Sequence, residues 1–99
     1  MSIIFHITTR PEWEAAKEKG FYTTASLNDE GYIHCSEERQ IADVLDRYFR
    51  EKNDLIKLVI ETDKLTSPLY YDWSPSVEDT FPHIYGTINL DAVKKIDPV

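Results

Sequence analysis

Apolar positions fall into two rhythms along this chain, and each rhythm predicts an element. Ile3-Ile4-Phe5-His6-Ile7 is β-branched and aromatic and predicts a first strand with His6 inside it. Thr9, with Glu12 three residues on, has the pattern of a capping box. Pro11 suits the first helical turn and Gly20 the position just past the last one, so a helix is predicted through Trp13, Ala16 and Lys17. Phe21 to Thr24 reads as a short extended piece, and Asn28-Asp29-Glu30-Gly31 as a turn. Tyr32-Ile33-His34-Cys35 is a second compact strand. Ser36 is expected to cap the next helix, with Glu37 and Glu38 at its positive end. There Ile41, Val44, Leu45, Tyr48 and Phe49 recur at the spacing of one buried face, the clearest periodic signal in the chain.

The second half reads mainly as strands. Leu55 to Glu61 is a nearly continuous apolar run, broken by Lys57, and predicts a central strand. Leu69 to Trp73 follows the Ser67-Pro68 break as another. Ser74 to Pro82 carries two prolines and two acids and is expected to be a loop. His83-Ile84-Tyr85-Gly86 resumes extended structure, Asn89 caps a helical turn, and Lys94 to Val99 closes a sheet as an edge strand. Without internal repeats or linkers, residues 1–99 form a single α+β domain.

Charge narrows the partners. With 99 residues and a net charge of −7, the only basic pair in sequence is Lys94-Lys95. A phosphate-tracking surface needs clustered cations, so nucleic acid is an unfavoured partner. The single cysteine, Cys35, has no partner for an internal disulfide and fits a reducing compartment. The first residues lack a signal-peptide pattern, and no apolar run approaches the roughly 20 residues that cross a bilayer. A cytoplasmic location without membrane contact is the expectation.

Candidate chemistry centres on three histidines. His6, His34 and His83 each lie between apolar neighbours in strand-like segments, and imidazole is the side chain best suited to proton transfer near neutral pH. The competing reading makes each a core histidine with both nitrogens satisfied. Three histidines also suit catalytic zinc, but no helical His pair is present, and His34 and Cys35, adjacent in a strand, point to opposite faces; no metal is expected. Cys35 reads as a small core hydrophobe. Ser36 shares the His34 face, so its hydroxyl could accompany the imidazole as well as cap the helix. No nucleophile elbow, Walker loop or Gly-rich dinucleotide fingerprint occurs.

The segments Phe5-His6-Ile7-Thr8, Trp13, Ser26-Leu27, Glu30-Gly31-Tyr32-Ile33-His34-Cys35-Ser36, Gln40 and Phe81-Pro82-His83-Ile84-Tyr85-Gly86 resemble, in this order, the small bacterial family catalogued as domain of unknown function 952. The resemblance covers nearly the whole chain. It implies a compact relative of the ADP-ribosyltransferase fold, a split β-sheet with two main helices around a cleft for NAD. By position, His6 is similar to the residue that holds a ribose. His34 is similar to one lining the nicotinamide pocket, and His83 to a late-strand group assisting transfer. The usual transferases carry a glutamate at that third place, and a neutral imidazole cannot support an oxocarbenium-like state as a carboxylate does.

A histidine-rich site also resembles the RNA 2′-phosphotransferase branch of that superfamily, which needs basic residues. Arg10 and Arg39 are the candidates, either as bidentate holders of a diphosphate or as solvated helix charges. Asp72, in an aromatic strand, could orient a histidine or bind a ribose hydroxyl, or be a surface acid. Tyr32 and Tyr85 each sit two residues from a histidine and so on its strand face, able to stack on a base or to pack in the core. The leading expectation is an enzyme using NAD or a related nucleotide, with His6, His34 and His83 catalytic and Arg10, Ser36, Arg39, Tyr32, Asp72 and Tyr85 binding. It would transfer ADP-ribosyl or phosphate, or cleave a glycosidic bond on a small substrate. The alternatives are a non-catalytic nucleotide-binding module, an RNA 2′-phosphotransferase-like enzyme, and a domain whose histidines are purely structural.

Overall fold

The β-branched run at the start of the chain forms β1 (Ile3–Thr9), antiparallel to β4 (Leu55–Glu61), with Ile3 opposite Glu61 and Thr9 opposite Leu55. The computed structural model that shows this describes residues 2–99. β8 (Val93–Pro98) takes the other side of β4, as an edge strand, so the sheet order is β1-β4-β8. Ile56, Leu58 and Ile60 alternate along β4, as strand periodicity requires for one buried face, and each is fully buried.

α1 (Arg10–Lys19) begins as its sequence signals. Thr9 Oγ1 accepts from the Glu12 N–H, and Gly20, at φ 89, ends the helix in the left-handed region that glycine tolerates best. The capping box is only half formed, because the Glu12 carboxylate turns instead to the Thr8 hydroxyl. Next come β2 (Phe21–Tyr22), paired with β7 (Ile88–Asn89), and α2 (Ala25–Glu30). The expected turn at Asn28–Gly31 is thus the last turn and cap of a helix. Gly31, at φ 91, swings the chain into β3 (Ile33–His34). With α3 (Ile41–Tyr48), the described residues hold two longer helices, α1 and α3, and the short α2 between them.

The third sheet has the order β3-β6-β5, with β5 (Leu69–Ser74) and β6 (Asp79–Ile84) forming a hairpin. The expected loop from Ser74 to Pro82 is therefore largely strand. Its turn, Pro75 to Glu78, holds Glu78 at φ 52 without glycine, which removes the usual hairpin signal. Pro82 sits in the central strand. Cys35 N–H donates to Pro82 O, and proline has no N–H to return just where β3 is ending. A two-way bridge joins this sheet to the first: Phe5 N–H donates to Ser36 O at 2.8 Å, and Ser36 N–H to Phe5 O at 2.7 Å.

That bridge corrects the expected role of Ser36. It is buried and tied to β1, and the helical segment starts one residue later, where Glu37 and Gln40 form the capping box of a 3-10 turn leading into α3. α3 itself buries no residue, although its apolar stripe is the strongest periodic signal. Its anchorage is polar: buried Gln40 donates to Asp79 and to Thr80 O at the start of β6. The core lies instead between the sheets and α1, around Ile4, Trp13, Tyr22, Ile33, Ile56, Leu58, Ile60, Ile84 and Ile88.

Candidate functional site

β3 and β6 bring His34 and His83 directly opposite each other. Because Cys35 N–H donates to Pro82 O, the two histidines occupy a non-hydrogen-bonded position of the ladder, where Cα atoms are only about 4.5 Å apart and side chains lie closest. Their rings meet edge to face with centroids 5.2 Å apart. Two sequence positions 49 residues apart are thus joined by register alone.

Each imidazole is held by a carboxylate. His83 Nδ1–H donates to Asp72 Oδ2 at 2.7 Å, and Tyr85 OH donates to the same oxygen at 2.5 Å. His34 Nε2–H donates to Glu30 Oε2 at 2.9 Å, across the Gly31 cap. These bonds fix the tautomers. They leave His83 Nε2 and His34 Nδ1 as the two nitrogens of the pair with no partner among the described residues. Every buried side-chain polar atom among the described residues has a partner, so His83 Nε2 reaches solvent although the residue is only 8% exposed. Tyr32 covers the other side of His83, stacked at 4.0 Å and 16°. Tyr85 leans on Tyr32 at 5.3 Å, and Tyr70 on Tyr85 at 5.5 Å.

The electrostatics follow from these contacts. Hydrogen bonds from Tyr85 and His83 hold the Asp72 carboxyl below its usual range, and the bond from His34 does the same for Glu30. The carboxylate of Asp72 in turn pushes the Tyr85 phenol up to about 12. Near neutral pH this face therefore presents two carboxylates beside the two oriented histidine rings, with the Tyr32 and Tyr85 hydroxyls still protonated.

His6 is not part of that face. It is buried beneath it: Nδ1 lies 2.5 Å from the His34 carbonyl oxygen, and Nε2 lies 2.8 Å from the Tyr22 hydroxyl. Burial lowers its pKa to about 4, against the opposing pull of the His34 carbonyl and Glu12. The expectation that His6 grips a ligand is corrected on this ground, because both ring nitrogens are occupied inside the fold. The arginine clamp is not assembled either. Arg39 makes a two-pronged bond to Asp79, four residues up β6 and so about 13 Å from His83 at strand rise, while Arg10 pairs with Asp54 at 3.5 Å. Cys35 is buried, and burial pushes its thiol pKa up, as befits a core residue.

Glu30 escaped the sequence reading as a site residue. Its spacing of four from His34 suggests a helical pair, yet a helix cap and a strand intervene. Tyr70 escaped as well; its only signal was its register opposite His83. Two surface hollows of about 530 and 290 Å³ lie elsewhere, one lined by Thr9 and the Arg47–Asn53 segment, the other beside α1 and α2. Neither borders the imidazole pair. Among the described residues no group of three or more His, Cys, Asp or Glu side chains is arranged to hold a metal ion, and no helix is long and apolar enough to cross a membrane.

Comparison with known proteins places the chain in a family. The crystal structure of protein CC0527 from Caulobacter crescentus is similar at 29% identity, with a TM-score of 0.86, over 96% of this chain and 83% of that one. A doubly substituted form of the same protein gives 28% identity and a TM-score of 0.86 over the same shares. Its solution NMR structure gives 30% and 0.81 over 97% of this chain and 83% of that one. No match was found among curated proteins. Residues 7–96 match the family described as protein of unknown function, DUF952, and the chain belongs to that family.

Proposed function

We propose that the face built from Glu30, Tyr32, His34, Asp72, His83 and Tyr85 binds a small nucleotide-like ligand, and that His83 transfers a proton on it. The carrying observation is the single oxygen Asp72 Oδ2, which takes both His83 Nδ1–H and Tyr85 OH and leaves His83 Nε2 without a partner among the described residues. A carboxylate that orients an imidazole in this way makes the distal nitrogen a better base and stabilises the imidazolium formed when it takes a proton. His34, edge-on and fixed by Glu30, supplies a second bare nitrogen to accept from a ligand N–H or O–H. The phenolic rings offer faces for a base or nicotinamide to stack upon.

NAD is the ligand that the ADP-ribosyl resemblance points to, and a cytoplasmic setting suits it. Within this reading Asp72 replaces the missing late-strand glutamate as the carboxylate of the site, acting through His83. A pyrophosphate would find no free guanidinium here, since Arg10 and Arg39 are paired elsewhere. The reading therefore favours contact through the nicotinamide or adenine moiety over a phosphate clamp. The aromatic lining of the face favours, as a second reading, a binding module that holds the nucleotide without turnover.

Titration with NAD and with ADP-ribose, followed through the imidazole resonances, tests the proposal. The expected result is that His34 and His83 move with saturation while His6 does not. His83→Ala should weaken binding at least tenfold, about 1.4 kcal/mol. Nicotinamide release separates turnover from binding alone. Unmoved His34 and His83 resonances at millimolar ligand would sink both readings.

A further inference from the structure

Behind the open face runs a buried hydrogen-bonded chain that the proposed chemistry does not use. It links the His34 carbonyl to His6 Nδ1 at 2.5 Å, His6 Nε2 to Tyr22 Oη at 2.8 Å, Tyr22 Oη to Thr8 Oγ1 at 2.8 Å and Thr8 Oγ1 to Glu12 Oε2 at 2.9 Å. Tyr22, Thr8 and His6 are buried, whereas Glu12, on α1, reaches solvent. The four contacts need four hydrogens. Ionised Glu12, two hydroxyls and a neutral imidazole bring only three.

The shortage falls at a definite place. An ionised Glu12 draws the Thr8 hydroxyl hydrogen to itself, and Thr8 Oγ1 then accepts from Tyr22. Tyr22 Oη now needs a donor, and only His6 Nε2 faces it. The His34 carbonyl can only accept, and only His6 Nδ1 faces that. A neutral ring carries one N–H and must abandon one partner. A protonated Glu12 reverses the chain: it donates to Thr8, Thr8 to Tyr22 and Tyr22 to His6 Nε2, so Nδ1–H is free for the His34 carbonyl and every contact is made. Leaving a buried acceptor or donor unpaired is costly, so the two arrangements differ in energy by more than a surface bond would.

We propose that Glu12, Thr8, Tyr22 and His6 form one proton-binding site, in which a proton taken up at the surface by Glu12 is registered as a change of hydrogen position on His6, under the strand that carries His34. No other charged residue is needed. The ionisable groups facing His6 are Glu12 from α1, Tyr22 from β2 and His34 from β3, with Cys35 beside Tyr22, and its partner on β4 is the apolar Leu58. Burial pushes ionisation of the ring down into acid, so it is the competing event, and the behaviour of the two ring nitrogens tells it apart from a rearranged hydroxyl chain. The inference stands independently of any ligand at the His34–His83 face.

Imidazole nitrogen shifts of His6 and the carboxyl carbon shift of Glu12, followed together through the carboxylate range, test it in the free protein. The expected result is one shared step, in which one ring nitrogen moves toward the protonated position and the other away from it. Ring ionisation would move both to the protonated position and is thereby distinguished. Glu12→Gln removes the titrating carboxyl, so the step should vanish; Tyr22→Phe cuts the chain and should remove it too. Nitrogen shifts that stay flat while Glu12 titrates, or the same step persisting in either folded variant, would overturn the proposal.

Discussion

His6 and His83 occupy nearly interchangeable sequence settings, each in a short strand between apolar neighbours, and similar fractions of the two residues reach solvent, 7% and 8%. They nevertheless have opposite characters. His6 spends both nitrogens on a backbone carbonyl and a phenol, whereas His83 spends one on a carboxylate and keeps the other for solvent. Exposure alone does not separate an inert imidazole from a usable one; the partner of each nitrogen does. Stability should therefore depend on the first ring, and binding on the second.

The largest expected effect comes from His6→Ala. It opens a cavity beside Tyr22 and removes the ring nitrogen that faces the His34 carbonyl, and losses of this kind cost about 2–5 kcal/mol. His83→Ala removes a ring at the rim, stacked on Tyr32, and should cost about 1 kcal/mol. Urea unfolding of both variants, beside the wild type, gives the two numbers. Equal losses would erase the distinction drawn between the rings.

Acid provides the next sharpening. Unfolded His6 takes up its proton near 6.5, while the folded ring waits until about 4. Between these values the unfolded chain binds more protons, so stability is full above the upper value and falls as pH drops toward the lower one. At about 1.4 kcal/mol per unit the total is on the order of 3 kcal/mol. The open cluster acts in a lower window: Asp72 and Glu30 are depressed carboxyls, whose contribution is lost only as pH falls through the carboxylate range. His6→Gln should flatten the loss across the upper window and leave the lower one. An unchanged slope in that variant would show that His6 is not the group responsible.

How much of this was legible in the sequence depended on whether the signal was local. β1, α1 and β4 were readable because caps and apolar alternation lie within a few residues of each other. β5 is legible as a strand, but Asp79 to Pro82 of β6 reads as loop, because the turn before it uses Glu78 in a left-handed conformation and the strand itself contains Pro82. α3 was read with the right period and the wrong burial: its apolar stripe does not say how deep the neighbouring surface lies. The pairing of Asp72 with His83 was anticipated only as one option among several, and which histidine it serves is set by the β5–β6 register. His6 and His34 looked alike because a strand's sequence does not show what crosses it.

Tyr85 allows the finest test of the contrast between the rings, because the expected change is in titration and hardly in stability. Its hydroxyl shares Asp72 Oδ2 with His83 Nδ1, and it lies on the exposed side of the cluster. Tyr85→Phe keeps the ring contacts with Tyr32 and Tyr70 and deletes one of the two bonds that depress the Asp72 carboxyl. Asp72 should then protonate at higher pH, closer to its ordinary 3.8, so that His83 loses its ionised partner earlier as the solution is acidified. Carbon shifts of the Asp72 carboxyl, beside those of the wild type, read the displacement directly, while His6 resonances should stay where they are. A matching displacement at His6 would mean that the buried ring and the open face titrate as one system, and the division between them would fail.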